Sequence, residues 1–287
     1  MTESDMQDEN GHGAGGVLHV VATPLGNADD LSPRARRVLS TADLILAEDT
    51  RRAGSLFARL GLAHAGRLMS FYEHNEDKRL PKVLEFLENG ASVALISDAG
   101  TPLLSDPGFT LVRACRERGI RVTPVPGPSA PVTALSASGL PPLPYTFLGF
   151  LPRRKGHTEK LLAAHRDTGA TLVFFERKSR LKGSLAICRE VLGDRPFCIA
   201  RELTKDFEEF VSGSLADISG VDPEMRGEIT VLVGPPEAEA QTGEEDIARI
   251  VEEESAAGGK PKEIARRVAD RAPGWTAKEV YALMRDA

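Results

Sequence analysis

VALISDAGTPLLSDPG, residues 93–108, starts as an apolar strand and breaks into Asp, Gly and Pro, which no regular element tolerates. Two aspartates, Asp98 and Asp106, therefore follow directly on the end of a buried strand. Open α/β sheets bind their ligands just beyond the carboxyl ends of their strands. The residues on either side support such a sheet. Residues 77–89 have helical apolar spacing (Leu80, Val83, Leu84, Leu87) and stop at Asn89-Gly90. FTLVRACRERG (109–119) reads as the next helix, and IRVTPVPGPS (120–129) as a short strand running into a turn.

Nearer the amino terminus, VLHVVA (17–22) is the first strand. TPLGN follows it, and a helix opens with Ser32 as N-cap and Pro33 at its first position. ADLILAEDTRR (42–52) is a strand ending in charge at Glu48 and Asp49. A second set of elements begins after residues 125–128: a helix over 129–139, strands over 170–176 and 195–202 with a helix near 179–192 between them, and two further strands within 206–215 and 227–234. These last strands are too close together for long crossovers, so the second sheet is expected to be partly antiparallel. The predicted organisation is a tail (1–16), α/β domains over 17–126 and 127–235, a linker (236–245) and a small helical region (246–287) broken at GGKPKE and RAPGWT.

The chain has 287 residues, enough for two cores, and its 41% hydrophobic and 27% charged residues describe a soluble globular protein. No apolar run approaches the roughly 20 residues needed to span a bilayer. The acidic, glycine-rich first sixteen residues read as a disordered tail and not as a signal peptide, so a cytoplasmic protein is expected. Cys115, Cys188 and Cys198 lack metal or disulfide spacing and read as buried apolar residues. No metal is expected, and the phosphate-loop and dinucleotide signatures are missing. The net charge of −6 is local, since residues 1–16 carry −4 and residues 237–254 carry −7. Basic clusters remain in the body at Arg51/Arg52, Arg153/Arg154/Lys155 and Arg177/Lys178. They form a phosphate-contacting surface if the fold brings them together, and otherwise are solvated faces.

Four loops at strand ends share exposed backbone: TPLGN (23–27), EDTRR (48–52), DAGTPLLSDPG (98–108) and VPGPSA (125–130). Together with SFYEHNE, TALSASGLP and FLGFLP, their order and spacing resemble the tetrapyrrole-methylase superfamily, and within it the ribosomal RNA branch of small-subunit 2′-O-methyltransferases. The resemblance covers residues 17–234 densely. It implies an α/β, two-domain tetrapyrrole-methylase-like (class III methyltransferase) fold with a small C-terminal helical appendage, usually a homodimer. It also implies S-adenosylmethionine in the cleft between the sheets and methyl transfer to the ribose 2′-oxygen of a cytidine in the decoding region of small-subunit rRNA.

Carried over by position, the resemblance places Pro24, Gly26, Asp98, Ala99, Gly100, Thr101, Ser105, Asp106, Pro126, Gly127, Ser129 and Ala130 around the cofactor. In physical terms, the aspartates could offset cationic parts of the donor, and a helix starting near Ser129 could offer amides to its carboxylate. His74, Glu48 and Asp49 are candidates for the base that takes a proton from the sugar hydroxyl. Arg51, Arg52, Arg153, Arg154, Lys155, Arg177 and Lys178 are candidates for RNA contact. Two other readings stay open: a tetrapyrrole-precursor methyltransferase, for which a wide apolar cleft and dispersed arginines are expected, and a non-catalytic RNA-binding ribosome-assembly module.

Overall fold

The computed structural model describes residues 15–63, 67–222, 225–236, 243–272 and 274–286. Most of the expected tail and most of the expected linker lie outside the described residues. The first unit contains β1 (Val17–Val21), α1 (Pro33–Thr41), β2 (Leu44–Ala47), α2 (Thr50–Arg59), β3 (Arg67–Ser70), α3 (Glu76–Glu88), β4 (Ser92–Ile96), α4 (Phe109–Glu117) and β5 (Arg121–Val125). Its five strands are parallel in the order β3-β2-β4-β1-β5. Right-handed crossovers running both ways from the centre put α1 and α2 on one face and α3 and α4 on the other. The packing shows it: Leu39, Leu56 and Phe57 share a core with Ile45 and Ile96, whereas Leu84, Leu87 and Leu111 share one with Leu18, Leu46 and Leu95. All four residues of β2 are buried because helices cover both faces, which is why its sequence, LILA, does not alternate.

The second unit follows with α5 (Ala130–Ala137), β6 (Tyr145–Phe150), α6 (Lys155–Ala163), β7 (Thr171–Glu176), α7 (Leu181–Leu192), β8 (Pro196–Arg201), β9 (Glu209–Ser214) and β10 (Ile229–Val233). The strand order is β6-β7-β10-β8-β9; β6 and β7 are parallel and the remaining pairs antiparallel, so the sheet is mixed. Helices α6 and α7 cover one face through Leu162, Leu181 and Leu185, which pack on Leu172 and Phe174. Helix α5 covers the other face through Ala134 and Leu135, which pack on Val173, Cys198 and Leu232. The chain ends in α8 (Glu244–Ala256), α9 (Pro261–Arg271) and α10 (Ala277–Asp286), which share a core of their own around Ile247, Ile264, Val268 and Val280. Among the described residues no helix is long and apolar enough to cross a membrane.

Contacts between the units are close and specific. The Asn27 amide donates to the Thr204 hydroxyl at 3.1 Å, and Gly26 lies so near the β8–β9 loop that a Cβ there would fall 2.2 Å from Lys205 Cγ. Gly26→Ala is therefore expected to lower stability by about 1–3 kcal/mol, as overpacking does, measured by urea denaturation. An unchanged midpoint would mean that the two loops are free to part.

Candidate active site

Three loops meet at the centre of the first sheet, where the crossovers diverge. Thr23 and Gly100 exchange backbone hydrogen bonds of 2.9 and 3.0 Å, joining the loop after β1 to the loop after β4. The Thr101 hydroxyl donates to the Pro128 carbonyl at 2.9 Å, which ties in the loop after β5. Gly127 is needed for this close approach, since a Cβ there would sit 2.9 Å from that of Ala22. The 98–108 loop makes its reversals with Leu103 at φ 76° and Ser105 at φ 74°, both in the left-handed region. Each such residue costs about 1–3 kcal/mol that neighbouring contacts must offset. Facing this loop, the β8–β9 connection holds Glu202 at φ 49° and Thr204 at φ 64°.

Between the sheets these loops line a cleft of about 450 Å³. Asp98, Ala99, Gly100, Thr101, Ser105 and Asp106 form one wall, with Glu48, Ser129 and Ala130 beside them. The opposite wall comes from the ends of β6, β7 and β10: Phe150, Phe175, Glu176, Arg177, Lys178 and Thr230. A second, more open recess of about 1050 Å³ adjoins the cleft, shares Arg52 and Asp98 with it, and is lined by Gly26, Asp49, Arg51, Arg59 and Lys205.

The cleft is rich in negative charge, and its ionisation reflects that. Burial pushes the Asp106 carboxyl up to about 6; the charges of Glu48 and Asp98 add to the rise, and a hydrogen bond from Ser97 pulls part of it back. Glu48 is also raised, mainly by burial and then by Asp98, with Arg52 opposing. Three carboxylates facing one hollow repel each other and favour a cation lodged among them. The structure holds a partial substitute: the Arg52 guanidinium forms a 2.6 Å ion pair with Asp98.

The remaining expected residues divide. Asp49 is the N-cap of α2, accepting the Arg51 amide at 2.8 Å and pairing with the Arg51 guanidinium at 3.0 Å. These bonds hold its carboxyl at about 2, so its proton affinity is too low for a base near neutral pH. His74 lies in the turn before α3, edge-on to Tyr72 at 6.3 Å, and lines neither hollow. Lys155 is engaged at the start of α6 with Glu190 at 2.9 Å and Glu159 at 3.4 Å, and it too lines neither hollow. Arg153 and Arg154 are exposed just before it. Pro24, Pro126 and Gly127 shape the loops without lining the cleft.

Sequence reading missed most of the second wall. Phe150, Phe175, Leu203 and the Gly227–Thr230 run enter the cleft without being expected there. One signal was available: TLVFFERK (171–178) repeats the pattern of LILAED (44–49), an apolar strand ending abruptly in charge.

A sequence profile described as Tetrapyrrole (Corrin/Porphyrin) Methylases matches residues 17–219. The chain belongs to the tetrapyrrole methylase family. Within that family, the chain is 42% identical over 272 residues to the "Ribosomal RNA small subunit methyltransferase I" of Micromonospora olivasterospora, covering 92% of this chain and 86% of the relative. It is 47% identical over 239 residues to the protein of the same name from Mesorhizobium japonicum, covering 82% of this chain and 80% of that one. Among solved structures, the methyltransferase CobJ superposes with a TM-score of 0.61 at 23% identity, over 80% of this chain and 97% of CobJ. Diphthine synthase gives the same score at 13% identity, over 76% of this chain and 90% of that one. Both share the two-sheet tetrapyrrole methylase fold, and the identities are low enough that the likeness speaks to fold alone.

Proposed function

We propose that this protein is an S-adenosylmethionine-dependent methyltransferase acting on the ribose 2′-oxygen of a cytidine in the decoding region of small-subunit rRNA. The observation that carries the reading is the convergence of the 23–27, 98–108 and 125–130 loops on one carboxylate-lined cleft, in a chain closely similar to rRNA methyltransferases. The cleft suits the donor. Its volume lies in the range of small-molecule sites. Asp98, Asp106 and Glu48 match cationic groups, and Leu25, Leu203 and Ile229 supply apolar surface. Helix α5 opens beside the cleft at Ser129, whose side chain does not cap it, so the amides of Ala130 and Val132, on either side of Pro131, can serve a carboxylate. When bound, the donor supplies an activated methyl carbon on a sulfonium.

The protein's task is then to align an acceptor and receive its proton. Asp106 is the best-matched base: with a pKa near 6 it is ionised at neutral pH, yet holds a proton more strongly than an ordinary carboxylate. Glu48 stands close enough to raise it. Arg177 and Lys178, exposed at the rim, suit the phosphates flanking the acceptor. Arg51, Arg52 and Arg59 extend positive charge into the adjoining recess. The reading includes a cytoplasmic homodimer. Sedimentation velocity checks the dimer.

The test of function incubates the protein with labelled S-adenosylmethionine and undermodified small subunits, then maps the label by nuclease digestion. Label on a cytidine ribose is expected, and label on a base carbon or ring nitrogen overturns the ribose chemistry. In the same assay Arg177→Ala/Lys178→Ala should raise KM for subunits and flatten its dependence on salt by about two counterions. An unchanged salt slope would remove these two residues from the RNA surface.

A further inference from the structure

Phe150 stands at the mouth of the cleft because of an irregularity in β6. Tyr145, Thr146 and Phe147 pair in step with Thr171, Leu172 and Val173, but the next pair is Phe150 with Phe175, so β6 carries one extra residue. Side chains alternate along a strand. In unbroken register Phe150 would therefore point away from Phe147, toward the layer of α6 and α7. The bulge returns it to the cleft face, where Phe147 and Phe150 flank Phe175 at ring-centroid distances of 5.0 and 5.4 Å. Gly149 makes the bulge possible at φ 66°. It is held against the 98–108 loop, where a Cβ would sit 3.1 Å from the Ser105 hydroxyl.

Bulges are uncommon between parallel strands and often re-aim a side chain beside a site. The hydrophobic core does not account for this one, since Phe150 remains 51% exposed. The exposed ring lines the same cleft as Arg177 and Lys178 on its own wall and the carboxylates on the other. A flat π-system attached to phosphate fits an aromatic face with cations beside it.

We infer that Phe150 stacks on the base of the nucleotide being methylated and so sets the position of its ribose against the carboxylate-lined wall. The inference rests on the RNA reading proposed above. Phe175, packed against it and itself braced by Phe147, keeps the ring in place. Phe150 thus positions the acceptor, and the donor's affinity does not depend on it.

The experiment compares Phe150→Leu and Phe150→Trp with the parent protein, measuring KM and kcat on undermodified small subunits and donor affinity by calorimetry. Phe150→Leu should raise KM for subunits about tenfold or more while donor affinity stays within about twofold, and Phe150→Trp should stay close to the parent. Equal loss of donor affinity in Phe150→Leu would show that the ring holds the donor's adenine and would overturn the inference. Identical KM values for the leucine variant and the parent would also overturn it. If the parent itself transfers no methyl to subunits, the RNA reading fails and the role of Phe150 falls with it. That failure is visible before any variant is made.

Discussion

At pH 7.5, Asp106→Asn is expected to methylate small subunits about 10²–10⁴-fold more slowly than the parent protein at saturating donor and RNA, the usual contribution of a positioned base. The same variant should melt a few degrees higher. Both effects come from one carboxyl group whose pKa is raised to about 6 by burial and by the charge of Glu48. Between its ordinary value near 4 and its folded value near 6, the folded protein binds more protons at this site than the unfolded chain does. Stability contributed by the protonated group is therefore present below about pH 4 and lost as pH rises through about 6. The neutral amide escapes that loss, so the two melting temperatures should converge in acid and separate above pH 6. Activity should move the opposite way: the parent's kcat rises as pH passes through about 6 and then levels, and the asparagine variant lacks that limb. A variant with full turnover would return the base to Glu48; equal melting temperatures at pH 7.5 would mean that Asp106 is not confined as described.

Asp98→Ala should weaken donor binding about ten- to hundredfold, the range for losing a hydrogen bond to a charged group. The reason extends beyond the lost carboxylate. Asp98 also restrains Arg52 through their 2.6 Å ion pair, and deleting it releases a guanidinium into the cleft where a cationic ligand belongs. The double variant Asp98→Ala/Arg52→Ala should then bind the donor more tightly than Asp98→Ala alone, a coupling that a double-mutant cycle isolates. Calorimetric affinities equal to the parent's for Asp98→Ala would exclude the aspartate from the donor site.

Much of this arrangement was legible in the sequence because the first sheet is built of buried parallel strands whose loops carry unusual chemistry. VALIS could be nothing but a strand, and the Asp-Gly-Pro run after it could be nothing but a loop. Ser32-Pro33 announced α1, which starts with the Ser32 hydroxyl accepting the Ala35 amide at 3.1 Å. Helix α2 escaped notice because EDTRR reads as a charged strand end. Asp49, a candidate base by its place at the strand end, is the cap of the helix, and the apolar face that betrays the helix, Leu56 and Phe57, arrives only on its second turn. Strand β3 has four residues and one buried side chain, Met69, too little for periodicity to register. Strand β6 defeated the reading for a different reason: its extra residue breaks alternation at the point where Phe150 turns toward the cleft. His74 is a candidate by its place in a strand-end loop, but that loop follows β3, the edge strand of the first sheet, and His74 lines neither hollow. Which side chains face one another across two sheets depends on how the sheets are docked, and local sequence does not encode that.

The left-handed non-glycine residues, Leu103 and Ser105 on one loop and Glu202 and Thr204 on the other, belong to two loops that both border the cleft, into which Ser105 and Leu203 reach. Glycine at position 105, where the side chain is exposed, would relieve the backbone strain there, but it falls where a relaxed backbone would let Asp106 and its neighbours drift. Selection for a hardier protein and selection for a faster one would pull these few positions in contrary directions.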